Sequence, residues 1–272
     1  MNPGVRTFIM YSPLACNWLQ CEENTADVTH TYFLHGHMMA KKGLNGGGYY
    51  YRPFSQYGFQ PFQWGLLKDW TAEGPHGGYA WGNLLIFPNM LRLATMMHWR
   101  VPVDDTHTLI FWLNYRSPAD TRSIGAIASE DAPEPEVTYP GPFLNERGEY
   151  PLDTFGSQDT MAWETEGPIF DRTKEHLGAS DAGIALYRQM LMNEIDVVER
   201  GDDPMGLVRD PAANTMIDMR EWFNERDPVA SVEIVGAASR FRAANEIFDD
   251  KHVVVDVPYG TARPRPQAAS RG

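Results

Sequence analysis

A chain of 272 residues with 43% hydrophobic content can bury one large core, or two modest ones, without disulfides to hold it together. Its net charge of −13, carried by acids spread along the chain, argues against nucleic acid or an anionic membrane surface as partner. No run of about eighteen apolar residues occurs, and the start Met1-Asn2-Pro3-Gly4-Val5-Arg6 lacks the basic-then-apolar layout of a secretory signal, so no membrane association is expected.

Cys16 and Cys21 have no second pair with which to complete a structural zinc site or a disulfide framework, so they are read as small packing residues in a reducing, cytoplasmic protein. Between Leu14 and His35 there is no Gly or Pro. Trp18, Cys21, Ala26 and Phe33 recur there at roughly helical intervals, which predicts one helix bounded by Pro13 and Gly36. Gly43 to Gly48 is a flexible turn without a phosphate motif, and the aromatic stretches Tyr49 to Tyr51 and Phe59 to Trp64 are strand-like. Three β-favouring segments follow, Tyr79 to Phe87, Leu91 to Val103 and Thr106 to Tyr115. Turn signals at Pro88-Asn89 and Asp104-Asp105 predict that they pair as an antiparallel meander.

Ser117 to Pro142 is rich in Pro, Ser, Asp and Glu and is expected to be a long surface loop. Thr154 to Glu164 is a short helix. Asp181 to Arg200 is a long amphipathic one, with Ile184, Tyr187, Met190, Leu191, Ile195 and Val198 inward, Ser180 as N-cap and Gly201 as stop. A final strand is expected at His252 to Val257. The Pro-, Arg- and Ala-rich residues 260–272 are expected to form a disordered tail, which leaves 1–259 as one domain. No internal repeat is present.

The chemistry is concentrated at Asp27, His30 and His35. On an α-helix five residues advance the chain by about 140° beyond a full turn, so both imidazoles can meet one metal ion only if the helix distorts or ends nearby; Gly36 permits an ending. A pair of core or surface histidines is the plain alternative. His98 lies on a predicted strand and His76 in a Gly-rich loop, where core or surface roles suit both. The aromatics Phe59, Phe62, Trp64, Trp81 and Phe87 suit either a cavity for a planar ring or ordinary core.

The run Cys16-Asn17-Trp18-Leu19-Gln20, then Glu23-Asn24, Asp27, His30 and His35, resembles the iron-binding helix of Rieske non-haem iron aromatic-ring-hydroxylating oxygenase α subunits. The stretches Trp99-Arg100-Val101-Pro102-Val103-Asp104-Asp105-Thr106, Gln158-Asp159 and Asp171-Arg172-Thr173-Lys174-Glu175-His176-Leu177 resemble the branch that includes phthalate dioxygenase and biaryl O-demethylases. The resemblance implies an α+β, helix-grip (Bet v1-like) catalytic domain, with a curved antiparallel sheet packed on helices. It implies a mononuclear Fe(II) held by His30, His35 and Asp159, a facial triad that leaves open positions beside a substrate. Glu164, five residues after Asp159, matches the same pattern. Asp27 takes the place of the aspartate that hydrogen-bonds a ligating histidine and links it toward the cluster of a neighbouring subunit, and Asn24 is similar to a polar residue of the same helix.

A Rieske [2Fe-2S] cluster needs C-x-H and C-x-x-H modules, and neither occurs in the 272 residues. The cluster is therefore expected from another domain or chain, whether these residues are a fragment, one part of a split protein or a remnant. The resemblance further implies an aromatic substrate, dioxygen, a reductase or ferredoxin, a homotrimer in the full-length form, and hydroxylation, O-demethylation or dihydroxylation of a carboxylated, lignin-derived type of aromatic compound. Two other readings stay open: a non-catalytic binder of hydrophobic ligands on the same scaffold, and a zinc-dependent hydrolase using the same three side chains.

Overall fold

The computed structural model describes residues 5–42, 54–72, 79–93, 96–116, 137–138, 143–215 and 253–256. In chain order it contains β1 (Val5–Leu14), α1 (Trp18–Ala26), a π-helix (Thr31–His35) running directly into α2 (Gly36–Lys42), then β2 (Phe54–Phe62), β3 (Gly65–Ala72), β4 (Tyr79–Ile86), β5 (Met90–Leu93), β6 (Met96–Asp104), β7 (His107–Arg116), β8 (Val137–Thr138), α3 (Phe155–Thr165), α4 (Ala182–Glu199) and β9 (Val253–Asp256). The Gly43–Gly48 turn, the Tyr49–Tyr51 stretch, His76, most of the 117–142 loop and the 260–272 tail lie outside the described residues.

The strands form one sheet in the order β8-β1-β7-β6-β5-β4-β3-β2-β9. Strands β2 to β7 are a continuous antiparallel meander, with β1 added antiparallel to β7 and β8 parallel to β1. The α+β class holds, but the expected helix-grip architecture does not. Among the described residues the terminal strands β8 and β9 share no ladder, so the sheet is open and neither closes nor curves around a long helix.

Both faces of the sheet carry buried apolar side chains. Side chains alternate between faces, and the register aligns Leu66, Leu85, Leu91, His98 and Trp112 in one row, with Lys68 and Asn83 a step along on the same face. This face receives the helices: Leu66, Leu85, Phe59 and Trp70 pack with Ala26, Val28, Tyr187 and Met190. On the opposite face Phe62, Leu67 and Leu84 form a separate cluster with Trp64 and Ile86. Phe59, Phe62, Trp64 and Phe87 are therefore core or packed against it, while the Trp81 side chain lies outside the described residues.

The single helix expected from Leu14 to His35 is instead a strand end, a loop and two helical pieces. β1 continues through Pro13 to Leu14, opposite Thr108 of β7. Proline is tolerated there because β8 pairs only with Ile9 and Met10, which leaves no ladder to interrupt on that side among the described residues. α1 begins where the Asn17 side chain accepts from the Leu19 amide at 3.0 Å, and it stops at Asp27, whose backbone is extended. Gly36 is no terminator: its φ of −56° and ψ of −47° carry the chain into α2. The β strand expected from Leu91 to Val103 is divided into β5 and β6. In α4, Tyr187 and Met190 face inward as expected, but Ile195 and Val198 are 48% and 54% exposed, and Asp181 rather than Ser180 stands at the N-cap. Gly201, with a φ of +84°, does end the helix.

α4 crosses α1 at Gly183, where a β-carbon would stand 2.5 Å from the Ala26 carbonyl oxygen and 2.2 Å from the Phe59 ring. Arg188 of α4 reaches Glu23 of α1 at 2.6 Å and pairs with Glu175 through two bonds. The helical layer is thereby fixed against the sheet, with Trp163 of α3 packed in one cluster with Cys21 of α1 and Cys16 just before it. Among the described residues no helix is long and apolar enough to cross a membrane.

Candidate metal centre

The break after α1 is built by one aspartate. Asp27 Oδ1 accepts from the Thr29 amide at 2.8 Å and from the Thr29 hydroxyl at 2.9 Å, while Oδ2 accepts from the His30 amide at 3.1 Å. A short carboxylate that bonds amides two and three residues on is an N-cap device, and it restarts the helix in a new direction. The restart is π-helical from Thr31 to His35. Hydrogen bonding from i to i+5 brings residues five apart over one another, which an α-turn does not. The distortion that the histidine spacing demanded is therefore present, and the two rings meet edge to face with centroids 5.4 Å apart.

The third group arrives from α3, whose N-cap Thr154 accepts from the Ser157 amide at 3.1 Å. Asp159 Oδ1 lies 3.1 Å from His35 Nε2. One ligand atom from each of His30, His35 and Asp159 lies within 4.8 Å of the others, so the three sequence-predicted ligands converge as a two-histidine, one-carboxylate triad.

Each imidazole has its far nitrogen already engaged. His35 Nδ1 lies 2.8 Å from Gln158 Oε1, a buried contact, and His30 Nδ1 lies 3.1 Å from Asp27 Oδ2. A proton on each Nδ1 satisfies these contacts and leaves each Nε2 with a lone pair for a metal ion. The 3.1 Å approach of His35 Nε2 to a carboxylate oxygen then requires a cation in common, a proton or a metal ion. Two neutral imidazoles and one carboxylate with open positions suit ferrous iron.

Electrostatics agree. Burial alone would raise the Asp159 carboxyl, but the hydrogen bond to His35 and the electrostatic pull of its imidazole neighbours and Arg100 outweigh it and hold Asp159 below the usual carboxylate range. Asp27 follows the same pattern, with His30 and Lys68 overcoming burial to hold it far below that range. Asn24 Nδ2 stands 3.4 Å from Asp159 Oδ1, so that residue of the resemblance also meets the site. Glu164 does not: it accepts from Tyr150 at 2.6 Å and from the Ala15 amide at 2.7 Å.

The sheet beneath the triad is unusually polar. Lys68 of β3 and Arg100 of β6, 3% and 1% exposed, face the helices, and Glu22 of α1, fully buried, faces the sheet. Glu22 comes within 3.6 Å of Arg100, and burial outweighs the pull of Arg100 to push its carboxyl up to about 8. His98 stacks on Trp112 with centroids 5.0 Å apart, and burial, with the nearby Arg100 charge, pushes it down to about 3, so it stays neutral. Sequence reasoning missed Gln158 as a partner of His35, and missed Lys68 and Glu22 altogether. Gln158 was marked only by standing beside Asp159, and a buried lysine on a strand leaves no periodic signal.

Residues 145–220 match the family described as "LigXa C-terminal domain like". The chain is 30% identical over 257 residues to the 5,5'-dehydrodivanillate O-demethylase oxygenase subunit of Sphingobium sp. (strain NBRC 103272 / SYK-6), covering 90% of this chain and 58% of that one. It is 25% identical to the phthalate 4,5-dioxygenase oxygenase subunit of Pseudomonas putida, over 74% of this chain and 54% of the relative. It is 28% identical to the phenoxybenzoate dioxygenase subunit alpha of Ectopseudomonas oleovorans, over 70% and 45% respectively. The chain thus spans about half the length of the curated relatives it matches.

Proposed function

We propose that this chain, a Rieske-type ring-hydroxylating-oxygenase α-subunit-like catalytic domain related to the phthalate and biaryl-demethylase branch, holds one ferrous ion at His30, His35 and Asp159 and oxygenates an aromatic substrate beside it. The observation that carries this reading is the convergence of three ligand atoms from two distant parts of the chain, with the outer nitrogen of both imidazoles already committed to Asp27 and Gln158.

Iron held there by His30, His35 and Asp159 would supply dioxygen reduction, which with two electrons and two protons from outside would balance a hydroxylation, or an O-demethylation releasing formaldehyde, with one oxygen atom going to the substrate and one to water. The chain's own residues prepare that chemistry. Gln158 and Asp27 fix the imidazole tautomers and raise their basicity. Phe155, 4.4 Å from His35 between ring centroids, excludes water on one side. His98, kept neutral against Trp112, offers a polar edge without a charge.

The activities by which the relatives are named, an O-demethylase and two dioxygenases of aromatic acids, favour a carboxylated aromatic, with O-demethylation or hydroxylation as the reaction. The electrons come from a Rieske [2Fe-2S] cluster on another domain or chain, fed by a reductase or ferredoxin, and Asp27 links His30 to that source. A homotrimeric full-length form in the cytoplasm completes the reading; two free thiols 3.5 Å apart suit a reducing compartment.

The test is an anaerobic ferrous titration followed by nitric oxide and electron paramagnetic resonance. A high-spin ferrous-nitrosyl signal at one iron per chain is expected; failure to bind iron, or purification with stoichiometric zinc, overturns the proposal. With a reduced cluster protein added, formaldehyde from a methoxylated aromatic acid supports demethylation, and a cis-diol product rules it out.

A further inference from the structure

Lys68 stands out because nothing in the site's own chemistry requires it. It sits on β3 between Leu66 and Trp70, the two inward neighbours that belong to the apolar core, and is only 3% exposed. Burying an ammonium among such groups is costly unless a specific contact uses it. Burial lowers its affinity for a proton, while Asp27, Glu22 and Asp159 draw it back up.

That contact is with the backbone at the break. Lys68 Nζ donates to the Asp27 carbonyl oxygen at 2.6 Å. Were α1 to continue, the Thr31 amide would occupy this oxygen; instead Thr31 N turns to the Val28 carbonyl at 3.4 Å. The Asp27 carbonyl is thus left exposed by the very kink that allows the π-helix, and a side chain from the sheet fills the vacancy. On the other side of the same residue the Asp27 carboxylate grips the amide and Nδ1 of His30. A rigid path runs from β3 through Lys68 and Asp27 to the His30 ring.

The geometry points to Lys68 as a positioning residue of the metal centre: it pins the α1-to-π junction to the sheet and so fixes the angle at which His30 presents Nε2. The inference rests on the iron reading of the triad, and it assigns Lys68 no contact with metal or substrate.

The test compares Lys68→Met with wild type, both prepared without metal and titrated anaerobically with ferrous ion. The readouts are iron affinity by chelator competition, the line shape of the ferrous-nitrosyl resonance and the melting temperature of the metal-free protein. Wild type binding no iron overturns the reading of the site, and this inference with it. Where wild type binds, Lys68→Met is expected to bind about 10- to 100-fold more weakly, the loss typical of outer partners of metal ligands, and to give an altered line shape. Wild-type affinity and line shape in Lys68→Met overturn the inference. So does a lowered melting temperature with an unchanged line shape in the iron-bound fraction, the mark of a purely structural residue. If Lys68→Met does not fold, Lys68→Arg decides: it keeps the charge but cannot place a donor at the same point. A several-fold loss of affinity with a changed line shape is expected of it, and wild-type values of both overturn the inference.

Discussion

His35 and Gln158 meet through a 2.8 Å contact between Nδ1 and Oε1, and the residue after Gln158 holds the opposite edge of the same ring: Asp159 Oδ1 is 3.1 Å from Nε2. Two successive residues of α3 therefore straddle one imidazole. Gln158→Leu keeps the volume but removes the acceptor, and the ring is then free to rotate or change tautomer. Iron affinity is expected to fall about 10- to 100-fold, with little change in the melting temperature of the metal-free protein. Chelator competition against wild type measures it, and an affinity within about twofold of wild type would show that Asp159 alone orients the ring.

Asp27 combines a structural and an electrostatic task, and two substitutions separate them. Asp27→Ala removes the acceptor for the Thr29 and His30 amides and is expected to lower stability by about 1 kcal/mol, as other lost caps do. Asp27→Asn keeps one carbonyl oxygen for the cap while removing the charge beside His30. It should melt close to wild type yet slow single-turnover product formation with a pre-reduced cluster protein. Equal single-turnover rates in Asp27→Asn and wild type would remove the proposed electron-linking role.

Glu22 predicts a pH dependence. Its carboxyl is raised to about 8 in the fold, because burial outweighs the pull of Arg100, of the Thr25 hydroxyl and of Lys68. In the unfolded chain the group ionises near pH 4.5. Between these values the folded state binds more protons than the unfolded one, so the contribution of this residue is fully present below pH 4.5 and lost as pH rises to about 8. Glu22→Gln, a neutral mimic of the protonated form, should flatten that part of the profile. Melting curves of both proteins from pH 5 to 8.5 are expected to converge at the acid end and to separate, with the variant higher, at the alkaline end.

Part of the site could be read in the chain, from local spacing around the histidines and from the family resemblance farther along. Asp27, His30 and His35 stood out by residue type and spacing, Asp159 was implied by the family resemblance, and the meander from Tyr79 to Tyr115 was marked by runs of β-branched and aromatic residues between turn signals. What escaped depends on long-range pairing. β1 carries a proline and a serine and acquires its strand character from β7, while β3 contains Lys68 and Asp69, which read as surface until α1 covers the face bearing Lys68. The open sheet was missed because a strand order is decided by which edges find partners, and periodicity within a strand carries no record of that. Ile195 and Val198 mark the same limit in α4, where an apolar stripe continues past the place where the core ends.

Gly183→Ala tests the helix crossing that supports the site. The added methyl would meet the Ala26 carbonyl at 2.5 Å, and a backbone oxygen cannot rotate away as a side chain can. Ala26 immediately precedes Asp27, so relief of the clash must push the end of α1. A loss of about 1–3 kcal/mol in denaturant unfolding is expected, together with weaker iron binding. Unchanged stability would mean that α4 can lift off α1 freely.

The π-helix between His30 and His35 makes the number of residues in that turn part of the metal site itself. Surface loops usually accept a residue more or less, but here lengthening the turn would swing one imidazole away from its companion, and trimming it would pull His35 out from between Gln158 and Asp159. Point changes of side chain at Phe33, which is 61% exposed, should pass almost unnoticed while a change of length at the same place silences the centre. In this stretch the chain guards its count more closely than its composition.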